Sequence, residues 1–419
     1  MGKSVSHESR WKRNFLFAAL YFSEGAPIGY IWWAMPTRLR AAGMPVEDVA
    51  ALVAMLTLPW AFKFLWAPAV DALRTRRWGY RCWVTAAQIL MGLTLLPLAL
   101  MPLGDVVEIA AWLLLAHAFC AATQDVAIDA LAVSSVAEHD FGKVTGWMQA
   151  GMLIGRAIFG GLALAAESWI GGQAVVLILV LCIWFSIFFV WRMPAITADR
   201  DGGENAAQRF VQSLLRALMR RSTWIGVAIA LTVGAGFEAV GGLMGPWLID
   251  QDATQEAIGF FLAVPVVGCM IVGALAGGWL ADRLGHRTLI RWSVMAIAAG
   301  VVVLLLTSMA GGPTWAVMLA ALPVYLCTGA LTASSYALFM DLTDPAIGGT
   351  QFSAFMGAMN LCEVWAVAAA GRLAGMYDYT MAFAVIAAAS LIALVFLPML
   401  KEARDPSDAQ AAPSDSVAA

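Results

Sequence analysis

Apolar stretches of about 20 residues recur along the whole chain, separated by short polar or basic segments. A helix rises about 1.5 Å per residue, so a stretch of that length crosses the roughly 30 Å hydrocarbon layer of a bilayer. About twelve such spans are read, at 15–35, 48–67, 82–102, 107–135, 144–166, 172–191, 223–248, 256–280, 289–309, 314–340, 350–371 and 378–399. The spans lack the in–out alternation of a lipid-facing β-barrel, so each is expected to be a helix that satisfies its own backbone hydrogen bonds. The first span follows Arg10, Lys12 and Arg13, as a signal peptide would. Its apolar part is longer than a signal peptide's, it contains Glu24 and no small-residue cleavage site follows, so it is expected to be retained.

Composition strengthens this reading. Of 419 residues, 61% are hydrophobic and 13% charged, against about a quarter charged in an ordinary globular domain. The fold expected is therefore an all-α polytopic membrane protein. Lys and Arg accumulate on the cytoplasmic side of such proteins. With the N-terminus inside, twenty basic residues fall on the cytoplasmic side and three, Arg38, Arg40 and Arg372, on the other. Both termini are accordingly assigned to the cytoplasm, and the expected location is the inner membrane of a bacterium. The net charge of −3 averages over two aqueous faces and points to no nucleic-acid partner. Cysteines 82, 120, 182, 269, 327 and 362 lie in or beside spans without CxxC spacing, which suggests free thiols and neither disulfide nor metal.

The longest polar interruption, Met193 to Ser222, separates about six spans from about six. It begins as a linker, "PAITADRDGGENAAQ", and ends in "RFVQSLLRALMRRS", whose Phe210, Val211, Leu214, Leu215 and Leu218 share one face, as in a helix lying on the membrane surface. The two halves carry matching features. Asp71 in "APAVDALRTRRWGYR" and Asp282 in "GGWLADRLGHR" each precede clustered basic residues; Glu24 matches Glu238, and "KVTGW" at 143 matches "TQFSA" at 350, all at similar offsets. The expected organisation is thus two pseudo-symmetric six-helix bundles, 1–192 and 223–400, joined by the linker 193–222 and followed by a disordered tail, 401–419.

"GGWLADRLGHR" is similar to the loop signature G-x-x-x-D-R-x-G-R-R of the major facilitator superfamily, with His286 in place of one basic residue. Asp71 with Arg74, Arg76 and Arg77 resembles a degenerate first-half copy without the glycine. An Asp at a helix end beside arginines can form ion pairs in one gating state and lose them in the other, which makes Asp71, Arg74, Asp282, Arg283 and Arg287, with Lys63, the expected gating residues. Within the superfamily, "RLRAAGMPVEDV" (38–49), "LPWAFKFLWAPAVD" (58–71) and "ATQDVAIDA" (122–130) resemble the muropeptide permease (AmpG-type) branch, which also includes siderophore permeases and acetyl-coenzyme A transporters. "PIGYIWWAMPTRLR" and "ALFMDLTDPAIGGTQFS" are closer to the latter two. The chain departs from the muropeptide pattern at Ala132 and Leu153, where that pattern has arginines; Arg156 stands one turn further on.

Charges inside spans cost at least ~2.5–3.5 kcal/mol each on insertion scales and so face a wet cavity or one another. Asp125 and Asp129, four residues apart, share a helix face. Counted from the cytoplasmic helix ends, Asp129 and Lys63 lie roughly 12 Å deep, and Asp125 and Arg156 roughly 20 Å. The expected pairs are therefore Asp129 with Lys63 and Asp125 with Arg156. The expected cavity residues are Asp125, Arg156, Glu363, Gln124 and Trp33, and the expected proton-coupling carboxylates are Glu24, Glu238, Glu363 and Asp129. His117 is expected near the outer membrane interface. Gly151 with Gly155 and Gly273 with Gly277 mark close helix packing, and Pro27, Pro59, Pro246 and Pro265 mark kinks.

No P-loop, HExxH or nucleophile elbow occurs, and no soluble domain is large enough to hydrolyse ATP. The expected function is secondary active transport without cofactors: proton-coupled uptake of a moderately large polar or amphiphilic solute, of siderophore or muropeptide class, by a monomer. Export of a small amphiphile, or a membrane enzyme or lipid-handling protein on the same fold, stays open at this level.

Overall fold

The computed structural model describes residues 7–72, 78–100, 107–135, 138–192, 215, 218–343 and 348–400. Every regular element among them is helical. The chain enters through α1 (His7–Gly29), which passes through a π turn, Tyr30–Ala34, into α2 (Met35–Ala41). It returns along α3 (Val46–Phe62), a 3₁₀ turn (Lys63–Leu65) and α4 (Ala67–Ala72). Then come α5 (Tyr80–Leu100), α6 (Val107–Ser135), α7 (Glu138–Arg156), a second π turn (Ala157–Leu162), α8 (Ala163–Ile170) and α9 (Gly172–Val190). The later part consists of α10 (Arg221–Val233), α11 (Ala235–Asp250), α12 (Gln255–Phe261), a third π turn (Leu262–Val266), α13 (Val267–Leu284), α14 (His286–Met309), α15 (Thr314–Leu342), α16 (Gly348–Met376), α17 (Tyr379–Ser390) and α18 (Ala393–Phe396).

Eleven described helical segments are long and apolar enough to cross a membrane. The expected first span is helical from His7 to Ala41 but is not among the eleven, because Asn14, Ser23 and Glu24 lower its apolarity; all three are buried against other helices. Large apolar side chains such as Leu90, Trp112, Phe185, Leu275 and Val303 point outward, the reverse of a water-soluble surface and the arrangement that lipid requires. The linker lies outside the described residues except for Leu215 and 218–222, and so does the tail.

Small residues decide which helices touch. Gly151 and Gly155 of α7 meet the backbone of α1 at Ala18, Phe22 and Gly25, while Gly273 and Gly277 of α13 meet α15 at Leu326 and Ala330, as their spacing predicts. The prolines act locally in different ways. Pro27 precedes the first π turn, Pro265 lies within the third, Pro59 precedes the 3₁₀ break, and Pro246 sits inside the uninterrupted α11.

The helices before the linker meet those after it along α3 and α16 and at the end of the bundle opposite the start of α1. There α2 packs on α11, α8 on α12, and the second π turn on the third. A Cβ on Gly161 would strike Ala263 and the Gly259 carbonyl, and one on Gly245 would strike Thr37. α16 lies along α3 from Gly375 beside Glu47 to Gly357 beside Ala61 and Phe64. At the end where α1 begins, no extended packing joins α6 to α15 or α7 to α13 among the described residues. Among the described residues, packing between the two sets of helices is therefore denser at the far end than at the near one.

Gly161→Leu forces a side chain into this closed seam, an overpacking that costs about 1–3 kcal/mol. The expected result is a lower thermal unfolding midpoint in detergent. Gly146→Leu, at a position with open space around it, leaves the midpoint unchanged.

Candidate functional site

Two aspartates four residues apart on a helix present one face, and α6 turns that face toward α3 and α1. Lys63 lies at the first residue of the 3₁₀ turn that interrupts the second span, between Pro59 and Pro68. Its Nζ pairs with Asp125 Oδ2 and lies 4.0 Å from Asp129 Oδ2. Asp129 Oδ1 accepts a hydrogen bond from the Tyr21 hydroxyl of α1. Lys63 and Asp125 are buried, whereas the Asp129 side chain is 46% exposed. Taking two ions from water costs several kcal/mol each, and only close pairing offsets it, so this ammonium and carboxylate hold one another in place.

A neutral polar layer backs the pair. Ser23 Oγ donates to the Leu20 carbonyl (2.6 Å) and accepts from the amides of Gln88 (3.1 Å) and Gln124 (3.3 Å). Gln124 is fully buried in this layer instead of lining a cavity. Glu24, next in the chain, is buried as well, and its Oε2 has no hydrogen-bond partner.

A second cluster forms where α7 passes into its π turn. Gly29 lets α1 approach the Arg156 backbone so closely that a Cβ there would strike it. The Arg156 guanidinium is thereby placed over the Trp32 ring, 4.9 Å from its centroid. Trp32 is fixed by its own donation to Thr57 Oγ1 (3.1 Å) and by the Trp60 ring at 6.0 Å. Arg156 Nε has no hydrogen-bond partner. Its electrostatic neighbours are Glu363 of α16, Tyr336 of α15, Glu238 of α11 and Glu24 of α1. Arg156, Glu238 and Glu363 are each partly accessible, on walls contributed by helices before and after the linker. Glu24 interacts with both clusters, reaching Asp125, Asp129 and Lys63 as well as Arg156.

The structure corrects several expectations. Lys63 pairs with Asp125, with Asp129 as its longer-range partner, and Arg156 pairs with neither aspartate. Depth along a helix was legible, but the direction in which each side chain leaves it was not. Trp33 is buried with its ring edge against Gly160, and Trp32, its neighbour within the π turn Tyr30–Ala34, is the ring that meets Arg156. His117 is fully buried between helices, with Nδ1 3.1 Å from the Met91 carbonyl. Of the expected gating residues, Arg74 and the side chains of Asp71 and Asp282 lie outside the described residues. Arg283 stacks on Trp279 at 3.9 Å, Arg287 donates to the Leu400 carbonyl (2.8 Å), and His286 Nδ1 lies 2.7 Å from Asp341. All of these contacts stay within the later half of the chain.

Other residues were not singled out by the sequence. Tyr21 and Asn360 each stand three positions before a marked glutamate, on the same helix face, and that spacing was an available signal. Asn360 Nδ2 donates to the Trp60 carbonyl (3.3 Å), reaching from α16 to the end of α3. At the far end, Arg40 Nε bonds both oxygens of Asp250 (2.8 and 2.9 Å), and the Tyr379 hydroxyl adds a third bond (2.8 Å). Among the described residues no group of three or more His, Cys, Asp or Glu side chains is placed to hold a metal ion. The arrangement brings charged and aromatic side chains from helices before and after the linker within electrostatic reach of one another.

Comparisons with known proteins agree with this architecture. Over 400 residues, 93% of this chain and 80% of the relative, the chain is 24% identical to the anhydromuropeptide permease of Escherichia coli (strain K12). Among solved structures it resembles the D-xylose–proton symporter, with a TM-score of 0.74 at 13% identity, covering 94% of this chain and 97% of that one. It also resembles a mutant form of the nucleoside transporter NupG, with a TM-score of 0.72 at 15% identity, covering 93% and 100%. These structural likenesses speak to the fold alone. The family profile of the Major Facilitator Superfamily matches residues 16–360 and 231–418, and the chain therefore belongs to that superfamily as a multi-pass membrane transporter.

Proposed function

We propose that this transporter is a proton-coupled importer of an anhydromuropeptide-like solute that works by alternating access. In this reading, the bundles 1–192 and 223–400 rock about the solute, the linker 193–222 joins them, and the protein acts as a monomer in a bacterial inner membrane. The end at which α1 begins faces the cytoplasm, in keeping with the basic residues gathered there. In this reading the sparser packing at that end among the described residues corresponds to a state open to the cytoplasm.

The observation that carries this reading is the placement of Arg156, held over Trp32 and within electrostatic reach of Glu238 and Glu363 from helices after the linker. A guanidinium with an unpartnered Nε suits a solute carboxylate, and an aromatic face beside it suits a sugar ring. Facing carboxylates on the other wall can meet amide or amine donors. The likeness to the anhydromuropeptide permease over 93% of the chain supports the same class. The cluster around Lys63, Asp125 and Asp129, with Glu24, Glu238 and Glu363, supplies more carboxylates than cations, and in a low-dielectric interior a proton is the simplest way to balance the surplus.

In proteoliposomes, radiolabelled anhydromuropeptide accumulates when the outside is acid and the inside alkaline, and a protonophore abolishes the accumulation; uptake indifferent to the pH gradient contradicts the reading. Arg156→Gln weakens binding of the same solute by about tenfold to a hundredfold, the worth of one charge-assisted hydrogen bond, as measured by ligand-induced thermal stabilisation.

A further inference from the structure

A cleft of about 580 Å³ opens between α8 and α12, beside the seam where the two halves of the chain meet. Its size falls within the roughly 300–1,000 Å³ typical of small-molecule sites. One wall carries Leu162, Ala166 and Trp169, spaced by four and three residues and so on one helix face; the other carries Glu256 and Phe260, four residues apart. Trp169 and Phe260 are 76% and 59% exposed on segments that cross the membrane, so the cleft opens sideways to lipid. Its floor is backbone: a Cβ on Gly259 would strike the Gly161 carbonyl and the Ala165 amide nitrogen.

The walls are graded in polarity. Glu256 stands at the start of the span Gln255–Ala281 and Trp169 at the end of the span Gly146–Ile170, which places both at the same membrane–water boundary, where tryptophan is favoured. At 1.5 Å per residue, Phe260 lies roughly 6 Å deeper and Leu162 roughly 10 Å. A polar head with an apolar tail matches that gradient. Glu256 is the one charged residue among the described residues that line the cleft. A headgroup seated there must bring its own positive charge, and an anionic headgroup meets repulsion. A primary ammonium donates hydrogen bonds to a carboxylate and lies well against an indole face, whereas a quaternary ammonium has no N–H to donate.

We propose that this cleft binds one phospholipid of phosphatidylethanolamine type, with its ammonium at Glu256 and Trp169 and an acyl chain along Leu162, Ala166 and Phe260, and that the bound lipid clamps the two halves together at the far end. The binding site stands apart from the transport reading above; the clamp rests on its alternating access. The two walls come from opposite sides of the linker, so parting the contact between Gly161 and Gly259 separates them and dismantles the cleft. A ligand that binds one state and not the other shifts the population toward the state it binds. Occupancy therefore disfavours opening of the far end without touching Arg156 or Trp32.

One arm of the test measures the lipid and the other the far end. Native mass spectrometry of the purified chain, supplied in turn with phosphatidylethanolamine, phosphatidylcholine and phosphatidylglycerol, is expected to show one retained phosphatidylethanolamine, held about tenfold more tightly than the other two, the worth of one charge-assisted hydrogen bond. Glu256→Gln is expected to remove that preference, and Ala166→Trp, which fills the cleft, to remove retention. Equal affinity for the three lipids, a preference that survives Glu256→Gln, or retention that survives Ala166→Trp overturns the site. In the second arm, Thr37→Cys, at a position that abuts Gly245 at the far end, is placed in a chain whose six native cysteines are replaced by alanine and is reconstituted in nanodiscs. Its labelling by a membrane-impermeant maleimide is expected to be about threefold or more slower in phosphatidylethanolamine than in phosphatidylcholine, with the difference lost in Glu256→Gln. Equal rates in the two lipids overturn the clamp. If Thr37→Cys reacts in neither lipid, the alternating-access reading fails together with the clamp, and the mass-spectrometric arm still decides the lipid site.

Discussion

A lysine inside a membrane-spanning segment must find an anion, and that requirement organises the first half of this protein. Desolvating an ammonium costs several kcal/mol, so Lys63 fixes the helix that carries Asp125 relative to the one that carries itself. The rest of the cluster follows. Asp129, one turn along the same face, is left to Tyr21, and the surrounding polar atoms of Ser23, Gln88 and Gln124 satisfy one another in part. Breaking the lysine pair would leave a bare charge in an apolar bundle.

The second cluster obeys the same electrostatics with a different outcome. Arg156 has an aromatic face beneath it and carboxylates at longer range, but none that bonds its Nε. An arginine held this way stays available. In the proposed function, the contrast between a lysine already paired and an arginine left open separates a group that sets internal charge balance from one that meets the solute.

Much of this could be read from the chain before any coordinates. Span lengths, the midpoint linker and intramembrane charges follow from hydropathy and composition, because the bilayer imposes a nearly one-dimensional constraint. The azimuth of each side chain did not follow. Depth alone matches Lys63 to Asp129, yet the face of α6 turns Asp125 toward it; of the adjacent Trp32 and Trp33, Trp32 is the one under Arg156. The joint of Arg40, Asp250 and Tyr379 was illegible for another reason: its members lie 210 and 129 positions apart, on helix ends whose approach depends on how the bundles meet.

The seam between Gly161 and the Gly259–Ala263 stretch has a further bearing on how such a carrier evolves. Backbone lies against backbone at these positions. The ionic joint of Arg40 and Asp250 sits at the rim, where water can receive its charges as it separates. In the proposed alternating-access cycle, one methyl group added at the seam, or one charge removed at the rim, would retune the resting preference between the two faces without touching Arg156 or Trp32. Lineages sharing this scaffold therefore have a route to faster or slower cycling that leaves selectivity untouched.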